Sequence, residues 1–333
     1  MNAVARDVTA VNRRIDPKYL PLTVTISLFM LMATLGSVFY SGFFSAQVFL
    51  NLLIDNAFVC IVAVGMTFVI LSGGIDLSVG SVVALTTMIS AALLEKYHWS
   101  PFAVIPLVLV LGALFGTVMG VLIQRFSLQP FLVTLAGMFL ARGLCYLISI
   151  EGITIAEPVF TGLAEERVTL WSGASISFSA LLALVVVIAG VFVAHYTQFG
   201  RTVYALGGNE QSALLMGLPV RSTLVLVYTL SGFCSALAGL TFALYMLSGN
   251  GLHALGLELD VIAAVVIGGT LLTGGVGYVA GTLFGVLILG IIQTLIMFDG
   301  TLSSWWTRIV IGALLFVFCL LQRVFEAGRD KRG

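Results

Sequence analysis

The sequence predicts an all-α integral membrane protein of about ten transmembrane helices, with both termini in the cytoplasm. Three observations carry that prediction. Of the 333 residues 60% are hydrophobic and only 9% charged, where soluble domains carry about 25% charged residues; the mean hydropathy is +1.14. The apolar residues come in continuous runs rather than in period-two alternation, which fits helices and not a β-barrel. The basic residues, finally, gather in segments that an even number of crossings places on one side.

Apolar runs lie near 23–41, 50–71, 78–94, 102–124, 131–150, 176–195, 223–247, 259–272, 277–298 and 304–322. Most approach the roughly 20 residues needed to cross a bilayer. The first follows a polar, basic stretch ending at Lys18 and is longer than a signal-peptide core, so it reads as an uncleaved span. The eighth, "LDVIAAVVIGGTLL", is short, a length that also suits a re-entrant segment. With ten spans, the tails 1–22 and 323–333 and the loop 196–222 share the cytoplasmic side. Eleven of the fifteen cations then lie inside, as the positive-inside rule asks. Only Lys96 and Arg167 fall outside, in loops that include 151–175 and 248–258, while Arg142 and Arg308 fall within spans. Residues 1–333 form one transmembrane domain with no linker.

The net charge of +0 gives no bulk attraction to nucleic acid. Cys60, Cys145, Cys234 and Cys319 are scattered through apolar runs, without metal spacing, and read as buried thiols. His98, His195 and His253 are equally dispersed. No phosphate-binding G-x-x-x-x-G-K-[ST], nucleophile elbow or H-E-x-x-H occurs. No catalytic group, metal site or bound cofactor is therefore assigned, and ATP is not expected to be hydrolysed by this chain.

Polar residues inside the apolar runs are the candidates for function. "GGIDLSVGS" (Gly73–Ser81) and "GGVGYVAGT" (Gly274–Thr282) echo one another: Gly73, Gly74 and Gly80 in the first answer Gly274, Gly275 and Gly281 in the second. Paired repeats of this kind occur in transporters. Gly73 and Gly74 suit the end of the second span. Asp76 would then stand at the N-cap of the third, accepting from the N–H of Ser78 or Val79. The second copy has Gly277 at that position, so the turn itself does not require an acid. N-capping and a part in a gate or path both stay open for Asp76.

In the loop 196–222, "GGNEQSALLMGLP" predicts a short helix. Asn209 is the cap, Glu210 suits the first turn, Gly217 stops it and Pro219 prevents its resumption. Leu214, Leu215 and Met216 need a surface to lie against, either the protein's own bundle or a cytoplasmic partner. Arg142 lies within the fifth span, where an ionisable residue faces the bundle interior or a water-filled cavity; a structural pair with a carbonyl or helix end is the other reading. Asn51, Asp55 and Asn56 make a polar stripe at the outer end of the second span. They either line an outer vestibule or hydrogen-bond neighbouring helices. Trp305 and Trp306 suit an interfacial anchor.

"ILSGGIDLSVGS", "FGRTVYALGGNEQSALLMGL" and "GGTLLTGGVGYVAGTLFG", in this order, resemble the permease subunits of bacterial ribose-type sugar ABC importers. Nearly the whole chain shares the likeness. Through "LLIDNAF", "TLAGMFLARG" and "FDGTLSSWW" it resembles most the permease subunits of galactofuranose importers. The resemblance implies an inner-membrane subunit that pairs with a second, identical or paralogous, permease subunit. Cytoplasmic ABC ATPase subunits, using ATP and Mg, would drive the pair, and a periplasmic sugar-binding protein would supply it. It also implies an ATPase-coupling segment over Arg201, Gly207, Gly208, Asn209, Glu210, Ala213, Leu214, Leu215, Met216 and Gly217. Membrane lipid is the remaining partner. No residue matches a known sugar contact, so Asn51, Asp55, Asn56, Asp76 and Arg142 are path candidates by polarity and depth alone. An ion-coupled secondary transporter of a small polar solute is the alternative, since glycine-interrupted helices fit that class too.

Overall fold

The computed structural model describes residues 20–170, 173–301, 303 and 305–330, with side chains for all of these except Leu20 and 322–330. Residues 1–19 of the expected N-terminal tail lie outside that set.

The helices are α1 (Leu20–Phe39), α2 (Ala46–Asp55), α3 (Ala57–Leu71), α4 (Val79–Ala91), α5 (Pro101–Phe126), α6 (Pro130–Ile148) and α7 (Pro158–Glu165). They continue as α8 (Phe178–Tyr196), α9 (Gln198–Gly208), α10 (Glu210–Leu215), α11 (Val220–Met246), α12 (Leu257–Ile267), α13 (Val279–Asp299) and α14 (Trp305–Asp330). A π-helical turn, Ala92–Lys96, prolongs α4. Four short strands depart from the all-α expectation: β1 (Ile153–Thr154) pairs with β4 (Ser248–Gly249), and β2 (Arg167–Thr169) with β3 (Ser175–Ser177), both antiparallel.

Each of the ten apolar runs holds helix, but not as ten equal spans. Among the described residues seven helices are long and apolar enough to cross a membrane, or eight if one bent pair is a single span. That pair is α2 and α3, which meet at 58°. The expected continuous second span is therefore broken, and Asn56 stands at the break. Asn56 is buried and its Nδ2 donates to the Leu52 carbonyl at 2.9 Å, covering an acceptor that the interrupted helix leaves free. Gly290 of α13 makes room for it, since a Cβ there would sit 2.7 Å from Asn56 Nδ2. The eighth run is the short α12 of eleven residues. The last helix continues to Asp330, so most of the expected C-terminal tail is helical.

The centre of the bundle is α3, in which every residue but Phe58 is buried, surrounded by α8, α11, α12 and α13. Its tightest flank is the contact of α5 with α11. Gly112, Gly116 and Gly120 recur every fourth residue and face Ala236 and Gly232, Tyr228, and Val225 of α11 in turn. A Cβ on Gly116 would overlap the Tyr228 carbonyl oxygen, and one on Gly232 would overlap that of Gly112. Small residues at this spacing let apolar helices approach to backbone contact, where van der Waals packing stabilises the pair.

Two helices begin inside the bundle. The stretch 74–78 has no regular secondary structure before α4 starts at Val79. The segment 249–256, expected as an outer loop, instead folds back along α4. Its Gly249 fits against the Thr87 carbonyl and Ala91, whereas Ala254 and Leu257 press on Gly80. The starts of α4 and α12 are thus neighbours, and the two helices run in opposite directions. Thr25 of α1 donates to the carbonyl of Ile267 at 2.6 Å, fixing the far end of α12.

Candidate functional site

The predicted helix over 209–217 forms as α10, with the predicted signals at both ends. Asn209 is its N-cap and accepts from Ser212 N at 2.8 Å; Gly217 takes φ +74° and ends it. The sequence did not reveal α9, which precedes it, because Gly200, Gly207 and Gly208 look like helix breakers. Ala213 is fully buried, against Leu206 of α9 and Val220 of α11. Leu214, Leu215 and Met216 point away and are 48%, 90% and 67% exposed. The two readings of this helix are therefore divided between its faces: Ala213 packs on the bundle and the apolar triplet does not. Glu210 is exposed, and Arg201 lines a separate groove between α9 and the start of α11.

Behind α10 three of the four glycine pairs of the sequence, Gly73–Gly74, Gly207–Gly208 and Gly274–Gly275, meet. Gly73 has φ +83°, and its N–H donates to the Ile70 carbonyl while that of Gly74 reaches Val69 at 3.0 Å. This double bond closes α3 in the manner of a Schellman motif, as expected of these glycines. Gly275 N donates to the Leu71 carbonyl at 2.9 Å. Gly207, at the end of α9, lies over that same carbonyl and Gly275 N, so close that a Cβ would overlap the oxygen. A Cβ on Gly274 would sit 2.9 Å from Gly73 N, and one on Gly275 2.7 Å from Gly208 N. The phenol of Tyr204 adds a hydrogen bond to the Gly277 carbonyl at 2.8 Å. The loop carrying α10 is thus fastened by backbone contact to the turns that precede α4 and α13.

Gly80 and Gly281 are not turn residues. Each lies in the first turn of its helix and admits α12, Gly80 at its start and Gly281 at its end. The two echoing segments therefore bracket α12.

Asp76 is not the N-cap of α4; that position belongs to Ser78. Asp76 stands two residues earlier, 1% exposed. One carboxylate oxygen accepts from Ser78 N at 2.9 Å and Ser78 Oγ at 2.6 Å. The other accepts from Ser231 Oγ, on α11, at 2.7 Å. The acid therefore joins the entry to α4 to the middle of α11, with three donors satisfying its oxygens. Beside it the buried Tyr228 hydroxyl points at Gly74 and has no hydrogen-bond partner among the described residues. Removing the acid strands three buried donors, each at a cost of about 1–3 kcal/mol. Asp76→Ala is expected to lower the melting temperature of the detergent-solubilised protein more than Asp76→Asn, which keeps one acceptor. The loss should be non-additive with Ser231→Ala; additive losses in thermal melts would show that the two do not act as a pair.

Arg142 follows the structural reading. Its Nη1 donates to the carbonyls of Gly251 and His253, both at 2.6 Å, and so holds the segment folded along α4. At the other end of α11, Asn51, Asp55 and Asn56 do not act as one stripe. Asn51 accepts from Gln47 Nε2 at 2.7 Å, Asn56 turns into the kink, and Asp55 lines a cavity. The five path candidates therefore occupy separate places.

Residues 48–319 match the family described as branched-chain amino acid transport system / permease component. The chain is 53% identical to the inner membrane ABC transporter permease protein YjfF of Escherichia coli (strain K12), over 91% of this chain and 92% of the relative. It is 38% identical to the fructose import permease protein FruG of Bifidobacterium longum, over 96% and 95%. To the ribose import permease protein RbsC of Haemophilus influenzae it is 38% identical, over 89% and 90%. No solved structure matches. An ion-coupled secondary transporter finds no support in these relatives. The bundle, the membrane helices and the length of these matches lead to one conclusion: the chain belongs to the permease-component family of ABC transporters.

Proposed function

We propose that this protein is the permease subunit of an ATP-driven monosaccharide importer in a bacterial inner membrane. The observation that carries the proposal is α10, which is anchored on the bundle through Ala213 yet presents Leu214, Leu215 and Met216 outward. In this reading that apolar surface docks a cytoplasmic ATPase, and both chain termini lie on the same side after ten crossings. Movement of α10 passes through the glycine junction to the irregular entry of α4, where Asp76 and Ser231 connect it to α11. Gates at the two ends of the bundle then open in turn. A second permease subunit completes the path, and a periplasmic binding protein delivers the sugar. ATP and Mg act in the ATPase subunit. Relatives named for ribose and fructose support a monosaccharide as cargo. The likeness of "LLIDNAF", "TLAGMFLARG" and "FDGTLSSWW" supports galactofuranose in particular.

The test is uptake into liposomes that contain this chain with its ATPase, second permease subunit and binding protein. Sugar accumulation should require ATP and each partner, and the isolated chain should hydrolyse no ATP. Accumulation driven by an ion gradient without the ATPase would overturn the proposal.

A further inference from the structure

Where the α2–α3 kink meets the last turns of α11, the bundle forms a cleft of about 270 Å³ that opens to the surface beside Asp55, Arg167 and Tyr245. It lies at the end of α11 remote from α10, some 40 Å away for a helix of 27 residues at about 1.5 Å each. Its volume corresponds to about nine water molecules at roughly 30 Å³ each, the size of one sugar ring.

The wall chemistry is mixed in a specific way. Phe58 and Tyr245 supply an aromatic side, with ring centroids 6.4 Å apart, and Phe242 holds Phe58 edge-on at 4.7 Å. Asp55 from the end of α2, Arg167 from β2 and Ser179 from α8 supply the polar side. A carboxylate only accepts hydrogen bonds, a guanidinium only donates, and the phenol and the serine hydroxyl do both. The cleft therefore offers both donors and acceptors, with the opposite charges of Asp55 and Arg167 near one another, next to an apolar ring face.

Two ligand classes fit poorly. A small anion would meet Asp55 and Glu165 on the same wall. A metal ion would need several converging ligands, and among the described residues no group of three or more His, Cys, Asp or Glu is placed to hold one. A neutral polyol ring suits all of the groups at once. Neighbouring hydroxyls donate to Asp55 and accept from Arg167 or Ser179, and a C–H face lies on Tyr245.

We infer that this cleft is a monosaccharide-binding subsite at the end of the path opposite α10, with Asp55, Arg167, Tyr245 and Ser179 as its contacts. The inference rests on the importer reading above. The sequence offered Asp55 as a path candidate, but not Arg167, Ser179 or Tyr245, because four separate elements build the site.

The experiment uses the complete importer in liposomes, with D-ribose, D-fructose and D-galactose as probes. Asp55→Asn and Tyr245→Leu should each reduce uptake about tenfold, which corresponds to roughly 1.4 kcal/mol of lost contact. ATP hydrolysis stimulated by the loaded binding protein should stay near the unaltered level. Ser179→Cys, corrected for the labelling of the native cysteines, should react more slowly with a maleimide when the transported monosaccharide is present. A disaccharide should give no such protection. Unchanged uptake in both variants, or no protection by any monosaccharide, overturns the subsite. Loss of stimulated hydrolysis together with uptake overturns it too, and makes this wall a docking surface for the binding protein. If the unaltered importer takes up none of the three sugars, the importer reading fails instead, and protection of Ser179→Cys alone then decides whether the cleft holds a sugar.

Discussion

Leu215→Asp is expected to release the ATPase from the membrane complex and to abolish ATP-dependent uptake. Leu215 is 90% exposed on a helix whose own anchorage is Ala213, fully buried between α9 and α11. The substitution removes nothing from the bundle, so insertion and folding should proceed as in the unaltered protein. In a docked complex the same side chain is buried. Burying a leucine is worth about 1.5–3 kcal/mol, a factor of about ten to more than a hundred in affinity. An unpaired carboxylate forced into the contact adds a desolvation penalty. The measurement is co-purification of the ATPase with the variant at matched membrane levels, alongside uptake. Full co-purification with normal transport would remove α10 from the coupling surface. Leu214→Asp should act in the same direction but less strongly, since Leu214 is already half-covered by its own chain.

The parts of this molecule that could be read from the sequence are those fixed by neighbours in the chain. Asn209 and Gly217 bound α10 because a cap and a left-handed stop act within three or four residues. Gly73 and Gly74 close α3 for the same reason. The parts that could not be read depend on partners far along the chain. Asp76 looked like a cap, since the Ser78 N–H is two residues away, but the contact that gives it a second role is Ser231, 155 positions on. Asn56 looked like one member of a polar stripe, and only the buried turn onto Leu52 shows it to be the kink. The segment 249–256 is rich in glycine and reads as a loop at the surface; its descent along α4 becomes visible when Gly80 and Gly249 are seen to leave room for it. One signal was present and unused. Gly112, Gly116 and Gly120 keep the four-residue spacing of packed membrane helices, and it marks the contact with α11.

The same dependence on distant backbone gives the second large effect. Gly207 and Gly208 are adjacent, and a sequence reading cannot rank them. A Cβ on Gly207 would overlap the Leu71 carbonyl oxygen and stand 2.5 Å from Gly275 N, whereas a Cβ on Gly208 meets nothing within 4 Å. Neither obstacle at Gly207 is a flexible side chain, so the backbone of α9 or of the α3 turn must move. That movement would also break the hydrogen bond from Gly275 N to Leu71 O, 2.9 Å long. Overpacking of this kind costs about 1–3 kcal/mol, and a stranded buried donor costs a further 1–3 kcal/mol or so. Against a total stability of about 5–15 kcal/mol, Gly207→Ala should lower the melting temperature of the purified protein markedly and reduce uptake. Gly208→Ala sits at the exposed last position of α9, and replacing a helical glycine by alanine gains about 0.5–1 kcal/mol at most. It should melt at or slightly above the temperature of the unaltered protein and transport normally. If α9 shifts without unfolding, Gly207→Ala should retain the ATPase but hydrolyse ATP with little sugar uptake, because the link from α10 to the entry of α4 is loosened. Equal behaviour of the two variants, in melting and in uptake, would mean that the three glycine pairs do not form the junction through which α10 acts.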